Sequence, residues 1–178
     1  VKLDFQQSQT YQNVQTVLSE LFETHSFLNI FETIAYEEVL IPISFLFNTS
    51  ARNMRYITNN LYNILYGETS TLENLEFIRE REDEELRRYR ELSDMALEEG
   101  FDGIASILNG IANIMLTHVL AYDEAIESIL SGELFCSPEE TFWICLGCGN
   151  ILAGECAPEI CPVCFLPRGY YQQLPQNF

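Results

Sequence analysis

Apolar side chains recur every three or four residues from about Gln6 to Glu37: Val14, Val17, Leu18, Leu21 and Phe22, continued by Leu28, Ile30, Phe31, Ile34 and Ala35. That period gathers them on one side of a 3.6-residue turn, so the chain is read to open with a long helix over about 6–37. Pro42 suits the first turn of a second helix over 42–66, and Gly67 supplies its stop. Ser70-Thr71-Leu72-Glu73 has the form of a capping box and predicts a third helix over 71–99, with a heavily charged face and Gly100 behind it. A fourth helix, over 101–131, turns Ile104, Ile107, Leu108, Ile111, Ile114 and Met115 inward and ends near Ser131-Gly132. Four long helices in two hairpins predict a mainly α protein with a four-helix bundle over residues 1–134. Residues 135–178 are read as a second domain of short β-strands and knuckles, too small to fold without an ion.

The chemistry of that second domain lies in Cys145-Leu146-Gly147-Cys148 and Cys161-Pro162-Val163-Cys164. Two residues between cysteines let the chain turn back, so both sulfurs of a pair face one centre. Two such pairs supply the four thiolates that close a tetrahedron around one Fe or Zn ion. Gly149 suits the left-handed backbone that such a turn often needs. Two disulfides would be the competing use of four cysteines, but tight pairs without a secretory segment favour the metal. Cys136 and Cys156 are left over and are expected to be free thiols.

Residues 143–171 resemble the rubredoxin-like tail of rubrerythrins. The resemblance rests on Cys145-Leu-Gly-Cys-Gly149, Gly154, Ala157-Pro158-Glu159-Ile160, Cys161-Pro-Val-Cys164, Pro167 and Tyr170-Tyr171. It implies an Fe(Cys)₄ site that passes single electrons to a di-iron site in a ferritin-like four-helix bundle, where peroxide is reduced. Two residues depart from the family pattern: Phe165 replaces a usual glycine and Asn150 a usual aromatic. Neither removes a ligand.

A ferritin-like di-iron centre is usually built with Glu-x-x-His pairs on inward helix faces. This chain has two histidines, His25 and His118, and no Glu-x-x-His. Matched to the family, the helix-one glutamate position falls at Thr24. The helix-two glutamate and histidine positions fall at Met54 and Ile57, and the helix-four glutamate position at Met115, while His118 survives. Helix three is open by one residue: one register gives Glu82 and Glu85, the other Arg81 and Glu84. His118, Glu82, Glu85 and Glu84 are therefore the remnant candidates for a metal in the bundle, and a di-iron centre is expected to be absent. A site rebuilt with Glu20, Glu23 or His25 is the alternative.

The net charge of −18, with Lys2 the one lysine among 178 residues, argues against nucleic acid as a partner. It fits either plain solvation of the surface or the docking of a basic redox partner. No secretory segment is legible and no apolar run approaches the ~20 residues of a membrane span, so a cytoplasmic protein without a membrane is expected. In ferritin-like bundles the second and third helices run parallel, and the hinge from Gly67 to Ser70 reaches only about 15 Å, against roughly 35 Å for a helix of that length. An up-down-up-down bundle or an exchange of helix hairpins between two chains satisfies it. The homodimer with exchanged hairpins is favoured by the resemblance, and the apolar run Val39–Phe47 is read as buried by the second chain. Three functions follow: an electron carrier through Fe(Cys)₄, a peroxide reductase with a rearranged bundle site, or a zinc-stapled scaffold.

Overall fold

The structure of the protein, a computed structural model, describes residues 4–174. It forms two compact units, Val1–Thr69 and Ser70–Phe178. The first is a hairpin of α1 (Gln9–Glu37) and α2 (Ile41–Tyr66). The second begins with a hairpin of α3 (Thr71–Glu98) and α4 (Asp102–Ser131) and continues into β1 (Cys136–Cys145), β2 (Ile151–Cys156) and β3 (Tyr171–Gln173). The helices begin and end within a few residues of where apolar period and stop signals place them.

Both hairpins close on seams of small residues. Ser44, Ala51, Thr58 and Leu65 of α2 are buried at intervals of seven, opposite Leu18 and Ala35 of α1. Ala105, Ala112 and Val119 of α4 repeat that interval opposite Leu86, Ser93 and Ala96. A seven-residue repeat keeps one narrow seam facing the neighbour, and small side chains let the backbones approach. The Ser93 hydroxyl uses the proximity to donate to the Ala105 carbonyl across 2.8 Å. Ser70 and Glu73 cap α3 reciprocally, the capping box expected from the sequence.

Outside these seams the hairpins carry wide apolar surfaces: Phe31, Ile57 and Ile64 in the first, Phe77, Ile104 and Ile107 in the second, all more than two-fifths exposed. One helix does have the length and composition of a membrane span, contrary to the sequence expectation: a window of α4 reaches a mean hydropathy of 1.6. Exposed Ile104, Ile107, Ile114 and Leu120 contribute to this value beside the buried seam, and the core helix of a soluble protein passes the same test.

The sheet has the order β2-β1-β3, antiparallel throughout. Its core is Trp143, Cys145, Ala157, Cys161 and Tyr171, with Phe135, Leu152 and Cys164 against it. The indole Nε1–H of Trp143 donates to the Gly154 carbonyl at 3.1 Å, so the one tryptophan is buried without an orphan donor. Cys136 and Cys156 are not free thiols. The return of β2 along β1 makes them register partners with Cα atoms 4.0 Å apart, and they are joined as a disulfide. Their separation of 20 residues carries no signal by itself; strand pairing brings them together.

Candidate metal centre

The two knuckles are the same local structure built twice. The Cys145 carbonyl accepts from the Gly149 N–H at 2.8 Å, and the Cys145 N–H donates to the Asn150 carbonyl at 2.9 Å. Sixteen residues on, by number, the Cys161 carbonyl accepts from the Phe165 N–H at 3.0 Å, and the Cys161 N–H donates to the Leu166 carbonyl at 2.8 Å. Each turn places its fifth residue at positive φ, Gly149 at 77° and Phe165 at 61°. That explains why a glycine is usual at the second position: an L side chain there costs roughly 1–2 kcal/mol. Phe165 accepts that conformation with its ring in solvent, 78% exposed.

Four sulfurs converge. Cys145 Sγ lies 3.6 Å from Cys164 Sγ, and Cys148 Sγ lies 3.7 Å from Cys161 Sγ. All four are within 4.8 Å of one another. A tetrahedron with metal–sulfur bonds of about 2.3 Å has sulfur–sulfur edges of about 3.8 Å, so donor set and spacing both fit a tetrahedral ion. Cys145 and Cys161 are buried, Cys164 is half-buried and Cys148 is exposed, which leaves one edge of the cage toward solvent.

The thiols do not share one environment. The Tyr171 hydroxyl, followed by the Cys164 and Val163 N–H groups, stabilises the Cys161 thiolate against burial and lowers its pKa from 9.0 to about 6. The Leu166 N–H favours the Cys164 thiolate, but burial and the neighbouring sulfurs outweigh it and raise Cys164 to about 12. Cys148 is also raised, although the Asn150 N–H pulls the other way. Four thiolates this close repel, and a divalent or trivalent ion removes the repulsion. Tyr171 itself is raised to about 12, first by Cys161 and then by burial. Its hydroxyl, Asn150 Nδ2 and Arg168 Nε are buried side-chain atoms without a hydrogen-bond partner of good geometry.

The helical candidates divide. His118 Nδ1 and Glu82 Oε2 are 2.9 Å apart, and the Tyr122 hydroxyl donates to Glu82 Oε1 at 3.3 Å. Burial, then the Glu82 carboxylate, raises the Tyr122 pKa. Tyr122 was not singled out from sequence; its place one turn after His118 was the available signal. Glu85 pairs with Arg81 at 3.0 Å, and exposed Glu84 lines a surface groove with Phe77 and Arg88. Among the described residues, the four sulfurs are the one cluster of three or more possible metal ligands. In the first hairpin Thr24 is exposed and Met54 half-buried, while His25 lies beside Asn29. Met115 in α4 is half-buried.

The family described as rubrerythrin, rubredoxin-like domain, matches residues 143–172. Beyond that segment, the chain is 30% identical over 166 residues to a rubrerythrin of Clostridium perfringens, covering 83% of this chain and 85% of the relative. It is 26% identical over 185 residues to a rubrerythrin of Nitratidesulfovibrio vulgaris, covering 96% and 97%. With Rubrerythrin-1 of Clostridium acetobutylicum it is 33% identical over 90 residues, spanning only 46% of that protein. A structure of nigerythrin in a mixed-valence state aligns over 97% of this chain and 89% of its own, with a TM-score of 0.35 and 22% identity.

Proposed function

Since this chain belongs to the rubrerythrin family, we propose that it is a one-electron carrier working through an Fe(Cys)₄ centre, with a helical bundle that no longer holds two irons. The observation that carries this reading is the cage of four sulfurs at tetrahedral spacing. Iron there supplies one-electron cycling between its ferric and ferrous forms. The chain's own groups hold and tune it. Cys145, Cys148, Cys161 and Cys164 ligate, and backbone N–H groups of Asn150, Val163, Cys164 and Leu166 bond to the sulfurs. Such donors favour the more negative, reduced state. Exposed Cys148 marks the side from which an electron enters or leaves.

For the bundle, the reading is supported by what stands at the family's ligand positions. Thr24, Met54, Ile57 and Met115 offer alkyl, thioether or hydroxyl groups where hard ferric ions need carboxylate and imidazole. Glu82 is engaged by hydrogen-bond contacts to His118 and Tyr122, and Glu85 by the Arg81 guanidinium. A second reading, peroxide reduction at a rebuilt bundle site, is favoured by the Glu82–His118 contact, and zinc in the cysteine cage is the third. One experiment separates them: metal content and visible spectrum of protein isolated from its host, followed by peroxide addition to the reduced form. The carrier has one iron per chain, a red colour, and reoxidation by peroxide no faster than free-iron controls. Three irons per chain with rapid turnover would establish the reductase, and a colourless zinc protein the scaffold.

We further propose a homodimer in which the α1–α2 hairpin of one chain packs against the α3–α4 hairpin of the other. The support is the four-residue hinge 67–70 between α2 and α3, too short to retrace a helix, together with the exposed apolar faces that each hairpin carries. A basic electron-transfer partner suits the net charge of −18. The cytoplasm is the compartment we assign, because reducing conditions keep the four thiols available for metal until it binds.

A further inference from the structure

The molecule carries a second sulfur site outside the cage, and three observations bear on what it does. The Cys136–Cys156 disulfide is accessible: Cys156 is exposed and Cys136 half-buried, and neither belongs to the core around Trp143. It also lies at the end of the ladder rather than within it. Beyond it, β1 and β2 pair at Thr141–Gly154, Phe142–Ala153, Trp143–Leu152 and Ile144–Ile151, and the Trp143 Nε1–H holds the Gly154 carbonyl. Finally, it sits where the sheet is otherwise loosely held. The register breaks between Cys136 and Thr141, so residues 137–140 have no ladder partner on β2. The segment leaving α4 is tied to the sheet by the disulfide, by the single ladder pair Cys136–Cys156, and by a backbone bond from the Ala157 N–H to the Phe135 carbonyl at 2.8 Å.

We propose that Cys136 and Cys156 form a two-electron dithiol–disulfide site, exchanging with small uncharged or cationic thiols, that clamps or releases the joint between α4 and the metal-binding sheet. A thiolate attacks the exposed Cys156 sulfur. The disulfide bond breaks, its electron pair passes to the Cys136 sulfur, and Cys136 takes a proton. A second thiol attacks the mixed disulfide, leaving Cys156 as a thiol. Two small thiols have been oxidised to one small disulfide, and one protein disulfide has been reduced to two thiols. Hydrogen peroxide reverses the change: two cysteine thiols are oxidised to the disulfide and the peroxide is reduced to two waters. Selectivity for the thiol comes from charge. Exposed Glu133 and Glu155 flank the two cysteines, Glu139 and Glu140 lie in the unpaired stretch, and the chain's net charge is −18. An anionic thiol is repelled from this rim, and a cationic one is drawn to it.

The test uses the full-length, metal-loaded protein. Cysteamine and the anionic thiol 2-mercaptoethanesulfonate are compared at low salt; alkylation with peptide mass mapping counts the free cysteines, and hydrogen exchange follows the backbone. The expected result is that Cys136 and Cys156 become alkylated while the four cage cysteines stay protected. Cysteamine should react roughly tenfold faster, an advantage that shrinks in high salt. Exchange should quicken in residues 133–141 and hold steady in 142–144 and 151–154. The C136S/C156S double variant should bind metal as before and show the fast exchange without added thiol. Free Cys136 and Cys156 in air-purified protein would overturn the proposal. So would reduction that loosens the whole ladder, or a double variant that fails to hold metal, since either makes the bond a structural staple. Equal rates for the two thiols would overturn the charge selectivity.

Discussion

At Phe165 a bulky residue sits at a φ of 61°, in the place that Gly149 fills in the matching knuckle. Because the ring is in solvent, substitution loses little burial. Phe165→Gly should therefore stabilise the metal-loaded tail by about 1 kcal/mol, read as a higher denaturant midpoint for metal release. An unchanged or lower midpoint would mean that the ring makes a contact in the assembled protein. Cysteine replacement has the opposite sign. Serine at any one of Cys145, Cys148, Cys161 or Cys164 should abolish tight metal binding, by elemental analysis, with the far-ultraviolet helical signal retained, because the helices owe nothing to the ion. Tyr171 acts on the centre without ligating it. Its hydroxyl is the first cause of the low Cys161 pKa, so in iron-loaded protein Tyr171→Phe should lower the reduction potential. Voltammetry on the variant decides this, and a rise or no change would remove Tyr171 from tuning.

Single elements are stabilised at their ends and along their seams. Ser70→Ala removes the acceptor for the Glu73 N–H and should destabilise α3 by about 1 kcal/mol, measurable by chemical denaturation. Between α3 and α4, Arg79 grips Asp123 through two bonds of 2.8 and 3.2 Å. The Arg79 bond holds the Asp123 pKa below its ordinary 3.8. A depressed carboxylate contributes stability above its unfolded pKa and loses it as pH falls through the folded one. Asp123→Asn should therefore be less stable than the parent at neutral pH and converge with it in acid. Both groups are substantially exposed, so the difference is small and shrinks with salt. These local features were legible beforehand: Ser-x-x-Glu announces its own geometry, and an apolar period of 3.6 residues locates a helix whatever surrounds it. The bond between Arg79 and Asp123 was not, because 44 residues separate them and charge spacing reports neighbours only along one helix.

For the whole molecule, the dimer proposal concerns oligomeric state and linker length. Sedimentation should give twice the chain mass, and Ile57→Glu on an exposed apolar face should shift the protein toward monomer or aggregate. Lengthening the 67–70 hinge with a flexible insert of about a dozen residues or more should let a chain close on itself, raising the monomer fraction. A monomer in the parent would defeat the exchange. A dimer untouched by the longer hinge would leave only an association of unexchanged bundles.

What this sequence determined alone was whatever lies within a few residues of itself: four helices with their stops, and two cysteine knuckles whose spacing commits their sulfurs to a common centre. The family likeness across the tail was equally local, a string of short motifs. Only the folded chain could decide the rest. The Cys136–Cys156 bond exists because β2 returns along β1, and the sequence-based reading of two free thiols failed for lack of that pairing. Among the α3 candidates Glu82, Glu84 and Glu85, only the α4 face decided that Glu82 meets His118 and Tyr122. Chain-local rules describe turns and faces, whereas contacts between distant residues depend on how those faces meet.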